Sequence, residues 1–262
     1  MRPPMFDATV SEGVLRLHRP ETRWVSTGWD GGRARAAAAY NVTVPEGFDR
    51  TDLAAYRDER LARAGFDDGR NDSGGGAPDR DAPPTLFTGV SMDHARGARL
   101  GPVVAYATVG LSNPAMLPME PAGAGVSDKS AEMDDSRSAE PTDRPERLGT
   151  VNLIVGTTRR LAPGAAANLV AVAAEAKAAT LLAAAGVPGT TSDAVVVADD
   201  PDGEPAEFSG SATAVGAAAR ACVRDAVRAG LRSRYPDGDV PGPTADAEHG
   251  VVTDERAEVF DP

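Results

Sequence analysis

Cysteine and histidine are too scarce in this chain to build the usual metal or thiol sites. The single Cys222 excludes an intramolecular disulfide and any cysteine-rich metal site, and its place on the apolar side of a predicted helix indicates packing. The three histidines, His18, His94 and His249, are too far apart for a zinc motif. His94 could act as an acid or a base, but a structural hydrogen bond is the stronger interpretation. We therefore predict neither a metal nor a cofactor.

Lysine is also nearly absent, and the charge balance is strongly acidic. The 262 residues contain 39 Asp and Glu against 27 Lys and Arg, and the only lysines are Lys129 and Lys177. A net charge of −12 argues against binding to nucleic acid or to an anionic membrane surface. An acidic, alanine-rich and lysine-poor composition is typical of proteins from salt-accumulating halophiles. The acidity therefore indicates the habitat rather than a ligand.

The chain lacks a hydrophobic signal segment near its start, where Arg2, Pro3, Pro4 and Asp7 fall within the first ten residues. Its longest alanine-rich run, residues 163–185, has the length of a membrane span but consists mostly of alanine and includes two charges. We expect a cytoplasmic protein with no membrane partner. The sequence leaves the oligomeric state open, including a homo-oligomer.

Three stretches have little apolar material. Residues 67–84, 120–147 and 235–262 are rich in Asp, Gly, Pro and Ser and cannot bury enough apolar surface to offset the entropy of ordering the backbone. We interpret the first two as flexible insertions and the last as a flexible acidic tail. They interrupt a single domain, residues 1–234, because no segment between them carries a complete core.

The remaining segments predict strands and helices in mixed order. Enrichment in β-branched and aromatic residues predicts strands at residues 14–17, 23–26, 40–44, 86–91, 103–110, 151–157 and 194–198. Helices are predicted from residue 51 or 52 to 64, from 163 to 185 and from 212 to 233. Thr51 and Gly65 would bound the first helix, and Pro163 and Gly186 the second. Because the two longest helices come late, the pattern favours an α+β fold, a mixed or antiparallel sheet layered with about three main helices.

Three apolar runs carry polar groups that an ordinary core would exclude. They are residues 109–114, 149–155 and 188–197, and they place Asn113, Asn152 and Asp193 beside β-branched residues. A buried amide or carboxylate costs free energy unless it finds a partner. We therefore expect these side chains and Lys177 to gather around one pocket at the strand ends.

Lys177 is the only lysine expected in the ordered fold, and it shares an otherwise apolar helix face with Val170, Ala173 and Leu181. In such a place it could serve as a base, a nucleophile or a cation that polarises an amide. The alternative is a structural lysine that pairs with a carboxylate. Glu175, two residues away, points to a different side of the helix, so each charge must meet a partner from elsewhere.

Hydroxyls precede Asp193 in residues 190–192, starting with Thr190, and could help to position water or a substrate amide. A turn in which Asp and Ser cap backbone groups explains the same pattern equally well. Asn113 and Asn152 each offer a donor and an acceptor to an amide, although Asn113 precedes Pro114 and could be part of a structural turn.

A glycine-rich loop at residues 28–32 would permit close backbone approach to a ligand. It includes Asp30, Gly31 and Gly32 and has neither the Walker nor the dinucleotide-binding spacing. On the residues alone, a polar pocket is predicted and its reaction is left undetermined.

An ordered set of motifs resembles one family. Residues 25–32, 40–44, 88–91, 108–114, 149–154, 175–177 and 189–193 resemble, in this order, the adenosylcobinamide amidohydrolase (CbiZ) family. The resemblance covers roughly residues 24–231, outside the acidic insertions, and departs from the family where Thr191 or Ser192 replaces a more usual proline. It implies a hydrolase that cleaves the amide between the corrin ring and the aminopropanol arm of adenosylcobinamide. The product would be adenosylcobyric acid for corrinoid salvage, and the partner a small corrinoid.

For this reaction we expect the catalytic groups to be Glu175, Lys177 and Asp193, which would transfer protons, and Thr190, a nucleophile or substrate contact. Backbone N–H groups and polar side chains would hold the oxyanion and the substrate; the expected substrate-binding residues are Asn113, Asn152, Asp30, Gly31, Gly32, Asn41 and Ser112.

Three alternatives stay open. Self-cleavage after Gly149 could expose Thr150 as an N-terminal nucleophile. The chain could instead be a corrinoid-binding protein that never cleaves its ligand, or an amidase with a different substrate.

Overall fold

The computed structural model describes residues 5–66, 82–120, 149–242 and 250–262. Within these ranges the three α-helices are α1 (Leu53–Arg63), α2 (Pro163–Ala185) and α3 (Ala214–Arg234), and a short 3-10 helix covers Met92–His94. The strands are β1 (Asp7–Ser11), β2 (Val14–Ser26), β3 (Gly32–Thr43), β4 (Thr85–Thr88), β5 (Arg96–Leu100), β6 (Val103–Val109), β7 (Ala115–Met116), β8 (Val151–Leu161), β9 (Ala194–Ala206) and β10 (Val251–Val252).

One large mixed sheet organises the fold. Its strand order is β4-β3-β2-β9-β8-β6-β5, and β1 pairs with β2 at the side of this path. The pairs β3–β4 and β8–β9 are parallel and the other neighbours are antiparallel. Helix α2 makes the crossover between β8 and β9, which returns the chain to the edge where β8 began. The expected α+β fold is confirmed.

Helices α2 and α3 cover one face of the sheet. Leu169 and Ala173 of α2 and Val223 of α3 are buried in one cluster with Leu153 and Val155 of β8. In the described ranges, α2 is the helix that is long and apolar enough to span a bilayer. It packs against β8, β9 and α3, which is the environment of a core helix.

The opposite face has its own core. Phe6 stacks on Trp24 with ring centroids 5.5 Å apart and lies 6.4 Å from the ring of Tyr106. Ile154 of β8 joins this cluster, so alternate residues of one strand enter different cores. A third cluster packs α1 against β3 through Tyr40 and Tyr56.

The predicted strands all fall in or overlap observed ones, with differences at the ends. Residues 14–17 and 23–26 are parts of the single long strand β2, whose pairing with β3 is irregular between His18 and Thr22. The segment predicted at 86–91 stops at Thr88. Four strands were not predicted: β1, β5, β7 and β10. Strands β1 and β5 lie at the margins of the sheet, and their side chains are mostly exposed or half-exposed. Strands β7 and β10 have only two residues each.

The second helix is confirmed at both ends, with Gly186 left-handed at φ 71°. The third begins two residues later than predicted, where the Thr213 hydroxyl accepts the Gly216 N–H at 3.0 Å. The predicted cap by Thr51 is wrong. Asp52 precedes α1 and makes no side-chain cap, because its carboxylate binds the guanidinium of Arg50.

Most of the two predicted insertions lies outside the described residues. Lys129 and His249 lie outside them as well. Within the stretch predicted as a flexible tail, β10 pairs in parallel with β7.

Candidate active site

Polar groups meet at the edge where β8 and β9 both begin. The parallel register places Asn152 of β8 opposite Ala194 of β9, so the turn before β9 lies beside the start of β8. The segment that follows β6 crosses this turn. There the Ala115 N–H donates to the Gly189 carbonyl at 2.9 Å and the Thr191 N–H donates to the Asn113 carbonyl at 3.2 Å.

Lys177 and Asp193 form an ion pair at the centre of this edge. The Lys177 ammonium donates to Oδ2 of Asp193, and both side chains are about nine-tenths buried. The same carboxylate accepts the Thr190 hydroxyl, the Thr190 N–H at 3.1 Å and the Val151 N–H at 2.8 Å. Four donors therefore fix its orientation. Thr191 and Ser192, in the same turn, are exposed, so the pair lies just below the surface.

Gly189 lies against this pair, in a space too small for a Cβ unless the pair moves. A Cβ at residue 189 would stand 2.6 Å from Oδ2 of Asp193 and 3.1 Å from Nζ of Lys177. The absent side chain thus provides the space in which the ion pair forms.

Glu175 is not brought to this group. It is on the exposed side of α2, where its carboxylate lies 3.5 Å from the guanidinium of Arg220 on α3. Two residues along a helix turn a side chain away by about 200°, so Lys177 faces the sheet while Glu175 faces solvent. We therefore leave Glu175 out of the candidate site.

Asn113 lies beside the turn at residues 189–191, which contacts the ion pair. Its amide nitrogen donates to the Thr191 hydroxyl, while its Oδ1 is buried and has no hydrogen-bond partner. Ser112 and Asn113 both crowd the α-carbon of Gly149, where a Cβ would collide with the Ser112 nitrogen. An unpartnered buried acceptor beside a lysine–carboxylate pair is suited to receive an N–H from a ligand.

Thr150 is buried and its hydroxyl lies 3.0 Å from that of Ser192. This contact places Thr150 near the site. It does not test self-cleavage after Gly149, which stays a prediction.

A second polar group, the buried amide network, occupies the other face of the sheet. Asn152 donates to Oδ1 of Asn41 at 3.1 Å and to the Phe87 carbonyl at 2.9 Å, and Asn41 donates to the Thr108 hydroxyl at 3.0 Å. Oδ1 of Asn152 is buried without a partner. Because Leu153 and Val155 face the helices, Asn152 faces away from them. The expectation of one shared pocket is thus only partly met: Lys177, Asp193, Thr190 and Asn113 come together, and Asn41 and Asn152 form a neighbouring group one residue along β8.

Replacing Asn152 with Ala leaves the Asn41 oxygen and the Phe87 carbonyl without their donor. Each orphaned buried group costs about 1–3 kcal/mol, so we expect the free energy of unfolding to fall by about 2–6 kcal/mol. Chemical denaturation at fixed high salt measures this change. An unchanged midpoint would show that water replaces the lost amide.

The glycine-rich loop joins the same edge from β2. The Thr27 N–H donates to the Val195 carbonyl at 3.0 Å, and the Val195 N–H donates to the Thr27 hydroxyl at 2.9 Å. In this loop Asp30, Gly31 and Gly32 are exposed, and Asp30 and Gly32 have positive φ angles of 48° and 116°. The loop is therefore close to the site but does not itself contact the ion pair through any described bond.

Sequence reasoning did not single out Trp29 and Phe87, which form an aromatic pair beside the amide network. Their ring centroids are 5.9 Å apart, and the Arg57 guanidinium lies 5.8 Å from the Trp29 ring. The backbone carbonyl of Phe87 is the one that binds Asn152. The available signal was that one of only two tryptophans lies inside the glycine-rich loop.

The remaining candidates do not join the site. Cys222 is buried, and desolvation raises the pKa of its thiol to about 11, so the thiol is protonated at neutral pH and lacks the nucleophilic thiolate form. His94 Nδ1 lies 3.0 Å from the Ser233 hydroxyl. Among the described residues no three His, Cys, Asp or Glu side chains are grouped closely enough to hold a metal.

A cavity of about 290 Å³ lies elsewhere, near the start of α2, lined in part by Arg23, Arg33 and Asp199. There the Arg23 guanidinium donates hydrogen bonds to the Asp199 carboxylate and to the Leu161 carbonyl.

A family model described as adenosylcobinamide amidohydrolase matches residues 5–238. The chain belongs to the adenosylcobinamide amidohydrolase family. A curated protein of that name from Halobacterium salinarum is 54% identical over 258 residues, which covers 98% of this chain and 100% of the relative. The resemblance drawn from the motifs is confirmed, and the halophile relative agrees with the habitat indicated by the acidic composition.

Proposed function

We propose that this chain hydrolyses adenosylcobinamide, breaking the amide between the corrin ring and the aminopropanol arm and releasing adenosylcobyric acid. Membership of the adenosylcobinamide amidohydrolase family, with 54% identity to a curated member over nearly the whole chain, carries this proposal. The lysine–carboxylate pair beneath an exposed turn supports it, because amide hydrolysis needs groups that move protons and stabilise an oxyanion.

Asp193 and Lys177 act as the proton-transfer pair. Asp193 accepts a proton from the attacking water as the new C–O bond forms, and Lys177 protonates the leaving nitrogen as the C–N bond breaks. The direct hydrogen bond between them then returns the proton from Asp193 to Lys177, which restores both groups. The reaction consumes one water and yields a carboxylic acid and an amine, so no other reactant is needed.

Neighbouring groups orient the amide. The Thr190 hydroxyl, which donates to Asp193, contacts the reacting carbonyl. The unpartnered Oδ1 of Asn113 accepts the N–H of the scissile amide, since it has no other donor. The backbone N–H of Ser192, in the exposed turn, stabilises the oxyanion.

The large corrin substrate extends beyond this pair across the start of the sheet. Its peripheral amides match the donor and acceptor character of Asn152 and Asn41, and the Trp29–Phe87 pair offers an aromatic wall beside them. The exposed loop with Asp30, Gly31 and Gly32 and the residue Ser112 line the approach. We place the enzyme in the cytoplasm, on the strength of its acidic, lysine-poor composition.

Incubation with adenosylcobinamide at high salt tests the function. We expect time-dependent release of aminopropanol and formation of a corrinoid carboxylic acid, both measured by mass spectrometry. A change in the corrin spectrum without release of an amine would instead identify a binding protein. Release from other amides but not from adenosylcobinamide would identify a different amidase.

A further inference from the structure

The C-terminal strand β10 reaches back to the candidate active site. The Val251 N–H donates to the Pro114 carbonyl at 2.9 Å, and the Thr253 N–H donates to the Met116 carbonyl at 3.0 Å. These two bonds make a short parallel ladder in which Val251 pairs with Ala115 and Val252 with Met116. A piece of chain more than 130 residues away in sequence is therefore hydrogen-bonded to the segment that carries Asn113.

That segment is bonded on its other side to the turn that holds the ion pair. Ala115 donates to the Gly189 carbonyl, Thr191 donates to the Asn113 carbonyl, and Pro114 forms an antiparallel bridge with Thr190. The order in space is thus β10, then residues 113–116, then residues 189–191. Gly189 and Thr190 both lie against Asp193, so β10 is two strands away from the carboxylate.

We propose that residues 250–253 form a positioning strand for the active site, acting through residues 113–116 on Asn113 and on the Gly189–Thr190 turn. This proposal rests on the proposed function. Val251 and Val252 are about half exposed, so the strand buries little apolar surface and contributes little to global stability. Its effect is local, because it completes the hydrogen bonds of an edge segment whose other side faces the site.

Proline substitutions test whether the hydrogen bonds from β10, rather than its mere presence beside residues 113–116, position the site. Val251→Pro and Thr253→Pro each remove a donor that binds the segment at 113–116. Val252→Pro is the matched control, because alternation along a strand turns the Val252 N–H to the opposite side. We expect the first two variants to raise KM for adenosylcobinamide about tenfold, with Tm unchanged and kcat within about twofold of wild type, and Val252→Pro to match wild type.

Hydrogen exchange gives a readout that does not depend on activity. The Ala115 N–H, which is bonded to Gly189, is expected to exchange about tenfold faster in Val251→Pro and at the wild-type rate in Val252→Pro. Equal exchange and equal KM in the two variants would overturn the positioning role. If wild type releases no aminopropanol, the proposed function fails, while the exchange rates still decide whether β10 holds the edge of the site.

Discussion

Lys177→Met and Asp193→Asn are each expected to lower kcat for adenosylcobinamide at least about a hundredfold, the range usual for loss of a positioned acid or base. The physical reason is that in the proposed mechanism the two hydrogen-bonded side chains exchange a proton directly, so that neither works without the other. Initial rates of aminopropanol release, at saturating substrate and high salt, measure the effect.

Folding must be controlled in this experiment, because removing one partner of a buried ion pair costs about 3–5 kcal/mol. The double variant Lys177→Met with Asp193→Asn leaves no uncompensated charge and should recover part of that stability. Its kcat should be about as low as that of either single variant, since groups that act as a unit are not additive. Multiplied losses would indicate two independent roles.

Glu175→Gln is the matched control. It removes a charge from the same helix two residues from Lys177, at an exposed position beside Arg220. We expect kcat within twofold of wild type, because exposed ion pairs contribute about 0–1 kcal/mol and this one is remote from the site. A loss comparable with that of Lys177→Met would return Glu175 to the catalytic group.

Gly189→Ala is expected to lower kcat about tenfold to a hundredfold without changing any ionisable group. The added methyl would stand 2.6 Å from Oδ2 of Asp193 and 3.1 Å from Nζ of Lys177, so the carboxylate and the ammonium must move apart. A displacement of about 1 Å in a catalytic arrangement can cost about a hundredfold in rate. Steady-state kinetics measures the loss.

Gly164→Ala is the comparison for this prediction. A Cβ at residue 164, in the first turn of α2, meets nothing within 4 Å, and alanine is the better helix former. This variant should keep wild-type kcat and gain slightly in Tm. Wild-type activity in Gly189→Ala would show that the ion pair tolerates a shift and is not the reacting pair.

The fold was predictable where local rules coincide with tertiary packing. Helix α2 has proline at its start, a left-handed Gly186 at its end and alanines between, so its bounds follow from its own sequence. The strand β5, in contrast, has charged and small residues and forms because β6 pairs with it. The start of α1 was not predictable in this way, because Thr51 and Asp52 are both residue types that favour an N-cap position. In the structure Asp52 takes that position, and its carboxylate binds Arg50 instead of capping the helix.

The site was predictable as a set of residue types but not as a geometry. Lys177 and Asp193 stand out because a lone lysine on an apolar helix face and a carboxylate at a strand start both need partners. The sequence cannot tell which partners meet, because the parallel pairing of β8 with β9 is what brings Asp193 to Val151. The face of the sheet on which Asn152 lies likewise depends on which alternate residues of β8 face the helices. The sequence does not decide this, because apolar residues of β8 lie on both faces.

A crystal structure of the Asp193→Asn variant bound to adenosylcobinamide would test the central claim most directly. We expect the scissile amide carbon within about 3.5 Å of a water or hydroxyl held by Thr190 and residue 193, with the leaving nitrogen facing Lys177. A substrate seated instead in the cavity lined by Arg23 and Arg33, with its amide remote from Lys177, would contradict the account.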